Sequence, residues 1–70
     1  MKLSARNQIK GRIVTVTRGA TTSHIRLDAG GTIITASITN EAVDDLGLKD
    51  GQEAYAVVKA SDVMIGVDHP

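Results

Sequence analysis

Two short segments, one near each end of the chain, are rich in hydrogen-bond donors. The first is Ser4, Ala5, Arg6, Asn7 and Gln8, and the second is Lys59, Ala60 and Ser61. A tetrahedral dianion suits such donors, because its oxygens only accept hydrogen bonds and its charge favours fixed cations. The same residues also allow a purely structural interpretation, in which the first segment caps a barrel end and the second ends a strand.

The residue sets of common enzymes are missing from the chain. It has no cysteine and two histidines, so a base for a catalytic nucleophile is scarce. Neither a phosphate-binding loop nor an H-E-x-x-H or paired-carboxylate motif is present. His24 stands alone on the outer face of a predicted strand, whereas cation sites need clustered ligands. We therefore expect no enzyme, no directly coordinated metal cation and no organic cofactor.

Length and composition indicate one small domain over residues 1–70. The chain is 41% hydrophobic, and Tyr55 is its one aromatic residue. A core this thin is marginal for a chain of this size, and without cysteine no disulfide can support it. Oligomerisation or a bound ligand is the remaining source of stability.

Charge is unevenly distributed along the chain. Residues 1–27 hold six of the eight basic residues and no acidic one, although the net charge of the whole is zero. The two halves either pair with each other or leave a positive region for an anion. The sequence lacks an apolar run long enough for a membrane span or a signal peptide, so we expect a cytoplasmic protein without a membrane partner.

Hydrophobic patterning predicts about five short strands and one helix. The strands cover residues 9–18, 23–27, 32–38, 53–60 and 63–67, and residues 28–31 form a hairpin turn. The helix lies within 39–47, with Thr39 or Asn40 as its cap and Gly47 as its stop. The alternation in the first strand changes phase at Ile13 and Val14, which fits a β-bulge or a strand covered on both faces. The pattern favours an all-β fold, namely a small OB-like Greek-key barrel of about five strands with one short helix.

Barrels of this type often bind single-stranded nucleic acid by stacking bases on aromatic side chains. Tyr55 alone makes a poor stacking surface, so we expect no nucleic acid as a partner. A nucleic-acid-binding OB module stays open as the alternative function. A structural oligomer without active anion sites is a third interpretation.

The donor-rich segments also carry a family resemblance. Residues 4–11 resemble the S-A-R-N-x-x-x-G opening of the molybdate-binding Mop domains, and residues 53–66 resemble their closing segment. Leu46, Gly47, Leu48 and Gly51 match the stretch between, so the resemblance covers residues 2–68. The single-domain members, the molbindins, are cytoplasmic proteins that bind and store molybdate or tungstate.

The resemblance implies a homo-hexamer, built as a trimer of dimers, with oxyanions bound between subunits. It assigns oxyanion binding to Ser4, Ala5, Arg6, Lys59, Ala60 and Ser61. A second oxyanion site is implied at the turn formed by Gly19, Ala20, Thr21 and Thr22, where family members often read G-A-V-N. A plain surface turn is the alternative there, and the choice between molybdate and tungstate stays open.

Overall fold

Four antiparallel strands and one short helix make up the computed structural model, which describes residues 1–69. The strands are β1 (Asn7–Arg18), β2 (Thr22–Ala29), β3 (Thr32–Thr39) and β4 (Glu53–Val58), and helix α1 covers Asn40–Leu46. The sheet order is β3-β2-β1-β4, so β4 returns to lie beside β1 as in a Greek key. The predicted all-β, OB-like Greek-key fold with one short helix is confirmed.

Strand β1 serves two ladders and bends between them. Its first half pairs with β4 and its second half with β2, and the register shifts between Ile13 and Thr15. Val14 is therefore the extra residue of a β-bulge, which is one of the two explanations that the phase change left open. Beyond the bulge, the Val16 amide donates to the Asp50 carboxylate at 3.0 Å. The turn before β4 is thus fastened to the bend in β1.

Local chemistry explains the elements on either side of β3. The β2–β3 hairpin turns at Gly30 and Gly31, whose φ angles of 64° and 95° strain any residue with a Cβ. Helix α1 begins where the Thr39 hydroxyl accepts the Ala42 amide at 3.1 Å. It ends at Gly47, which is left-handed with φ 62°. The sequence predicted this hairpin and this stop, and it left the cap open between Thr39 and Asn40, of which Thr39 is the one observed.

The hydrophobic core is small and open on one side. Its fully buried apolar residues are Ile13, Ile25, Leu27 and Val43. A slot of about 620 Å³ separates the edges of β3 and β4. Apolar residues that line it include Ile34, Ile38, Leu46, Leu48, Ala54 and Ala56. The described chain therefore forms a barrel with one open seam, and its core is as thin as the composition indicated.

The prediction of a last strand over residues 63–67 is wrong. A single 3₁₀ turn at Ala60–Asp62 follows β4, and residues 63–67, here called the C-terminal segment, form no strand. Met64, Ile65 and Val67 are 91%, 88% and 88% exposed. Alternating apolar residues predict that one face of a segment is apolar. A strand also needs a neighbouring strand to pair with, and residues 63–67 pair with no strand within residues 1–69.

Several strand ends also differ from the sequence prediction, and two of them adjoin the donor-rich segments. Strand β4 ends at Val58 instead of residue 60, because the chain enters the 3₁₀ turn there. Strand β1 begins at Asn7, so Asn7 and Gln8 belong to the sheet and do not precede it. Their cross-strand partners on β4, Val58 and Val57, extend the ladder that far.

Gly11 lies directly against Leu27 and Asp28 of β2, and we expect Gly11→Ala to destabilise the barrel. An added Cβ would lie 2.5 Å from the Asp28 carbonyl oxygen and 2.9 Å from Leu27 Cγ. The strands would have to separate, which should lower the free energy of unfolding by about 1–3 kcal/mol. Urea unfolding at one protein concentration measures this loss. Gly66→Ala is the control, since an added Cβ at position 66 meets nothing within 4 Å and its φ lies outside the left-handed region.

Candidate functional site

The two donor-rich segments leave the barrel from the same rung of the sheet. Asn7, the first residue of β1, pairs with Val58, the last residue of β4. Residues 4–6 run into this rung and residues 59–61 run out of it. The β1–β4 ladder therefore brings together two segments from opposite ends of the sequence.

These segments line a shallow, open groove of about 520 Å³. Its lining residues are Ser4, Ala5, Arg6, Val57, Lys59, Ala60 and Ser61. The structure thus places all six residues of the principal predicted site around one groove. Val57 is the member that sequence reasoning missed. Its position two residues before Lys59 could have indicated it, since alternate strand residues share a face.

Backbone amides of the 3₁₀ turn add donors to the groove. The first bonds of this turn are donated by Asp62 to the Lys59 carbonyl at 2.9 Å and by Val63 to the Ala60 carbonyl at 3.3 Å. The amides of Ala60 and Ser61 precede these bonds and donate to no group within residues 1–69. An acceptor-only ligand in the groove would satisfy them.

The groove also holds unpaired positive charge. Arg6 and Lys59 are exposed, and neither forms an ion pair within the described residues. Lys10, by contrast, bonds the Glu53 carboxylate at 3.2 Å, and this hydrogen bond raises the Lys10 pKa above its ordinary value of 10.5. Two free cations, two hydroxyls and free amides, with no carboxylate among the lining residues, make the groove a receptor for an anion.

Two amides of the first segment do not face the groove as donors. The Asn7 side-chain amide donates to the Val58 carbonyl at 3.2 Å, and the Gln8 amide donates to the Ala5 carbonyl at 3.3 Å. From the sequence, we expected both side-chain amides to be donors for a ligand. Their place inside strand β1 gives them protein partners instead, so they hold the segment in position.

The second predicted site is an ordered turn at the other end of β1. Its residues are Gly19, Ala20, Thr21 and Thr22, all exposed, with Thr22 already the first residue of β2. The Gly19 amide donates to the Thr22 carbonyl at 2.8 Å. Asn40 fastens the turn to helix α1, since its side chain donates to the Gly19 carbonyl at 3.0 Å. The turn lines neither the groove nor the slot, and its anion site stays a prediction.

The cation next to this turn is already paired. The Arg18 guanidinium makes two hydrogen bonds to the Asp44 carboxylate, at 2.8 and 3.0 Å. These bonds hold the pKa of the Asp44 carboxyl below its ordinary value of 3.8. Arg18 therefore joins helix α1 to β1. Because Asp44 neutralises its charge, Arg18 is not a free cation for an anion at the turn.

Residues 1–69 contain no group of three or more histidine, cysteine, aspartate or glutamate side chains placed to hold a metal ion. Within the same residues no helix is both long and apolar enough to cross a bilayer.

A small Greek-key barrel with a donor-lined groove at the start of its first strand is an OB-like ligand-binding domain. Residues 3–65 match the family model of the TOBE domain, and the chain belongs to this family. A relative from Haemophilus influenzae, described as a probable molybdenum-pterin-binding protein, is 42% identical over 97% of this chain and 100% of its own length.

Solved structures agree with this assignment. The molybdate-binding protein from Sporomusa ovata superposes with a TM-score of 0.91 at 33% identity, over 96% of this chain and all of its own. The cytoplasmic molybdate-binding protein ModG, solved with molybdate bound, gives a TM-score of 0.91 at 48% identity. That match covers 97% of this chain and 49% of ModG. The resemblance to the Mop domains is confirmed.

The Arg18–Asp44 pair predicts an acid-sensitive attachment of helix α1. Because the folded-state pKa of Asp44 is lowered, its contribution to stability is present above pH 3.8 and is lost as the pH falls through the lowered value. Asp44→Asn should therefore melt at a lower temperature than wild type at pH 7, with the difference shrinking toward pH 3. Asp45→Asn, one position along the helix, is the control, and equal pH profiles for the two variants would contradict the assignment.

Proposed function

We propose that this protein binds molybdate or tungstate as an intact oxyanion in the groove between residues 4–6 and 59–61. We further propose that it acts as a cytoplasmic store for the anion and is not an enzyme. One observation carries the proposal: segments from opposite ends of the chain meet at one rung and line a single groove with unpaired donors. The molybdate-binding relatives of similar sequence and fold support the choice of anion.

The groove chemistry suits a fully deprotonated tetrahedral dianion. Side-chain donors come from Ser4, Arg6, Lys59 and Ser61, and backbone amides come from the stretches around Ala5 and Ala60. Hydrogen phosphate is disfavoured, because its proton would find no acceptor among these groups. Sulfate carries the same charge as molybdate and differs in being smaller. Tungstate is nearly isosteric with molybdate, so the groove accepts both.

We also propose that the protein works as a homo-oligomer, a hexamer built as a trimer of dimers. Two exposed apolar surfaces support association: the C-terminal segment and the slot between β3 and β4. Val63, Ile65 and Val67 alternate along the segment, as a strand that fills the slot of a second copy would require. This contact would bury apolar area that the small core leaves in water.

The proposed contact places the groove at a subunit interface. The C-terminal segment begins two residues after Ser61, so a partner that holds the segment also holds one wall of the groove. The groove is open on its outer side, where a neighbouring subunit has room to cover the anion. Oxyanion binding between subunits follows from this arrangement.

Assembly is tested by placing a charge on the proposed contact face. Ile65→Asp should dissociate the oligomer, because a carboxylate would have to be buried in an apolar slot. Sedimentation velocity at micromolar concentration should show a smaller species than wild type. Met64→Asp is the matched control, since residue 64 points to the opposite side of an extended segment and should leave the assembly intact. A wild-type chain that is a folded monomer would contradict the proposal.

Anion binding is tested by removing donors one at a time. Arg6→Ala or Lys59→Ala removes a charge-assisted hydrogen bond and should weaken molybdate binding by about 10- to 150-fold, equivalent to about 1.5–3 kcal/mol. Ser4→Ala or Ser61→Ala removes a neutral donor and should cost about 0.5–1.5 kcal/mol. Calorimetric titration with molybdate measures each loss, and sedimentation checks that the assembly is intact.

Lys49→Ala is the matched control for this series, because Lys49 is exposed in the turn before β4 and lines no groove. Its affinity for molybdate should equal that of wild type. If Arg6→Ala and Lys59→Ala also bind as wild type does, the groove is structural and the proposed function is wrong.

A further inference from the structure

Asn7 makes a side-chain contact that joins the two walls of the groove. Its Nδ2 donates to the Val58 carbonyl oxygen at 3.2 Å, and the side chain is half-buried. The first wall, residues 4–6, continues from Asn7, and the second wall, residues 59–61, continues from Val58. Among residues 1–69, no side-chain hydrogen bond joins residues 4–6 directly to residues 59–61, so the Asn7 bond is the side-chain link nearest to both walls.

The rung at Asn7 and Val58 is also the last rung of the β1–β4 ladder. Beyond it, within the described chain, no backbone hydrogen bond joins residues 4–6 to residues 59–61. The end of a ladder opens more easily than its middle, because it is supported from one side only. The distance between the walls therefore depends on how firmly this rung is closed.

Gln8, the next residue of β1, makes a contact within its own segment only. Its amide donates to the Ala5 carbonyl at 3.3 Å, which fixes the first wall relative to β1 and does not reach the second wall. The Asn7 side chain thus bonds across the rung from which both walls continue, whereas the Gln8 side chain bonds within the first segment.

We propose that Asn7 is a positioning residue that sets the width of the groove and thereby its preference for a large tetrahedral oxyanion over a smaller one. The inference rests on the proposed function, since it concerns the same groove. Asn7 itself does not need to touch the anion, because its amide hydrogen is directed to the Val58 carbonyl.

Size selection requires walls that stay apart. Molybdate and sulfate are both tetrahedral dianions, so donors and charge alone distinguish them poorly. When the walls are held at a fixed separation, a smaller anion cannot contact the donors of both at their best distances. When the cross-wall bond is lost, the walls can close on the smaller anion, so sulfate loses less affinity than molybdate.

The test compares molybdate and sulfate binding in wild type, Asn7→Ala and Asn7→Gln by calorimetric titration. Asn7→Ala should weaken molybdate binding by about 2- to 10-fold, as expected for one neutral hydrogen bond, and should bring the molybdate and sulfate affinities closer together. Asn7→Gln keeps an amide donor on a longer side chain, so its affinity ratio should lie between the other two. If Asn7→Ala does not fold, Asn7→Gln against wild type makes the same comparison.

Thr39→Ala is the control for lost stability without a change of groove. Thr39 lines neither the groove nor the slot, and its hydroxyl makes one bond to backbone, accepting the Ala42 amide at 3.1 Å at the start of helix α1. The Thr39→Ala variant should have a lower melting temperature than wild type and an unchanged ratio of molybdate to sulfate affinity.

Three outcomes separate the inference from the proposed function. A narrowed ratio of molybdate to sulfate affinity in Asn7→Ala but not in Thr39→Ala supports the positioning role. A wild-type ratio in both Asn7 variants overturns it while leaving molybdate binding established. A wild-type protein that binds no molybdate overturns the proposed function and this inference together.

Discussion

The fold depends on one strand that belongs to two ladders. Strand β1 is 12 residues long, and it can pair with β4 at its start and β2 at its end because the bulge at Val14 bends it in between. The Asp50 carboxylate accepts the Val16 amide beyond the bulge and so fixes the bend to the turn before β4. Without this bend the sheet could not curl around its few buried side chains.

The same pairing determines where a ligand can be bound. Because β4 runs antiparallel to the start of β1, its last residue meets the first residue of β1. The segments outside that rung are therefore neighbours, although the sequence separates them widely. At the far end of β1, Arg18 is paired with Asp44, which leaves the unpaired cations Arg6 and Lys59 at the groove. The neutral total charge thus conceals a local excess of positive charge.

In a chain this small, the segments proposed to stabilise the assembly adjoin the segments proposed to bind the anion. The core buries four apolar side chains, while the C-terminal segment and the slot leave apolar surface exposed. Under the proposed function, a ligand that binds only the folded, assembled state adds stability by mass action. The groove wall and the C-terminal segment are consecutive in the chain, so assembly and anion binding would reinforce each other.

The sequence by itself determined what depends on neighbouring residues: the hairpin glycines, a helix start at Thr39 or Asn40, the Gly47 stop, the break in alternation at Val14 and the two donor-rich segments. Each is set by φ preferences, hydrogen bonds or alternation over a few positions. Only the tertiary structure decided that Asn7 and Gln8 bond to protein carbonyls, that Val57 joins the groove, and that residues 63–67 form no strand. These outcomes depend on which strand edge lies opposite, and register across distant parts of a chain is set by packing of the whole sheet.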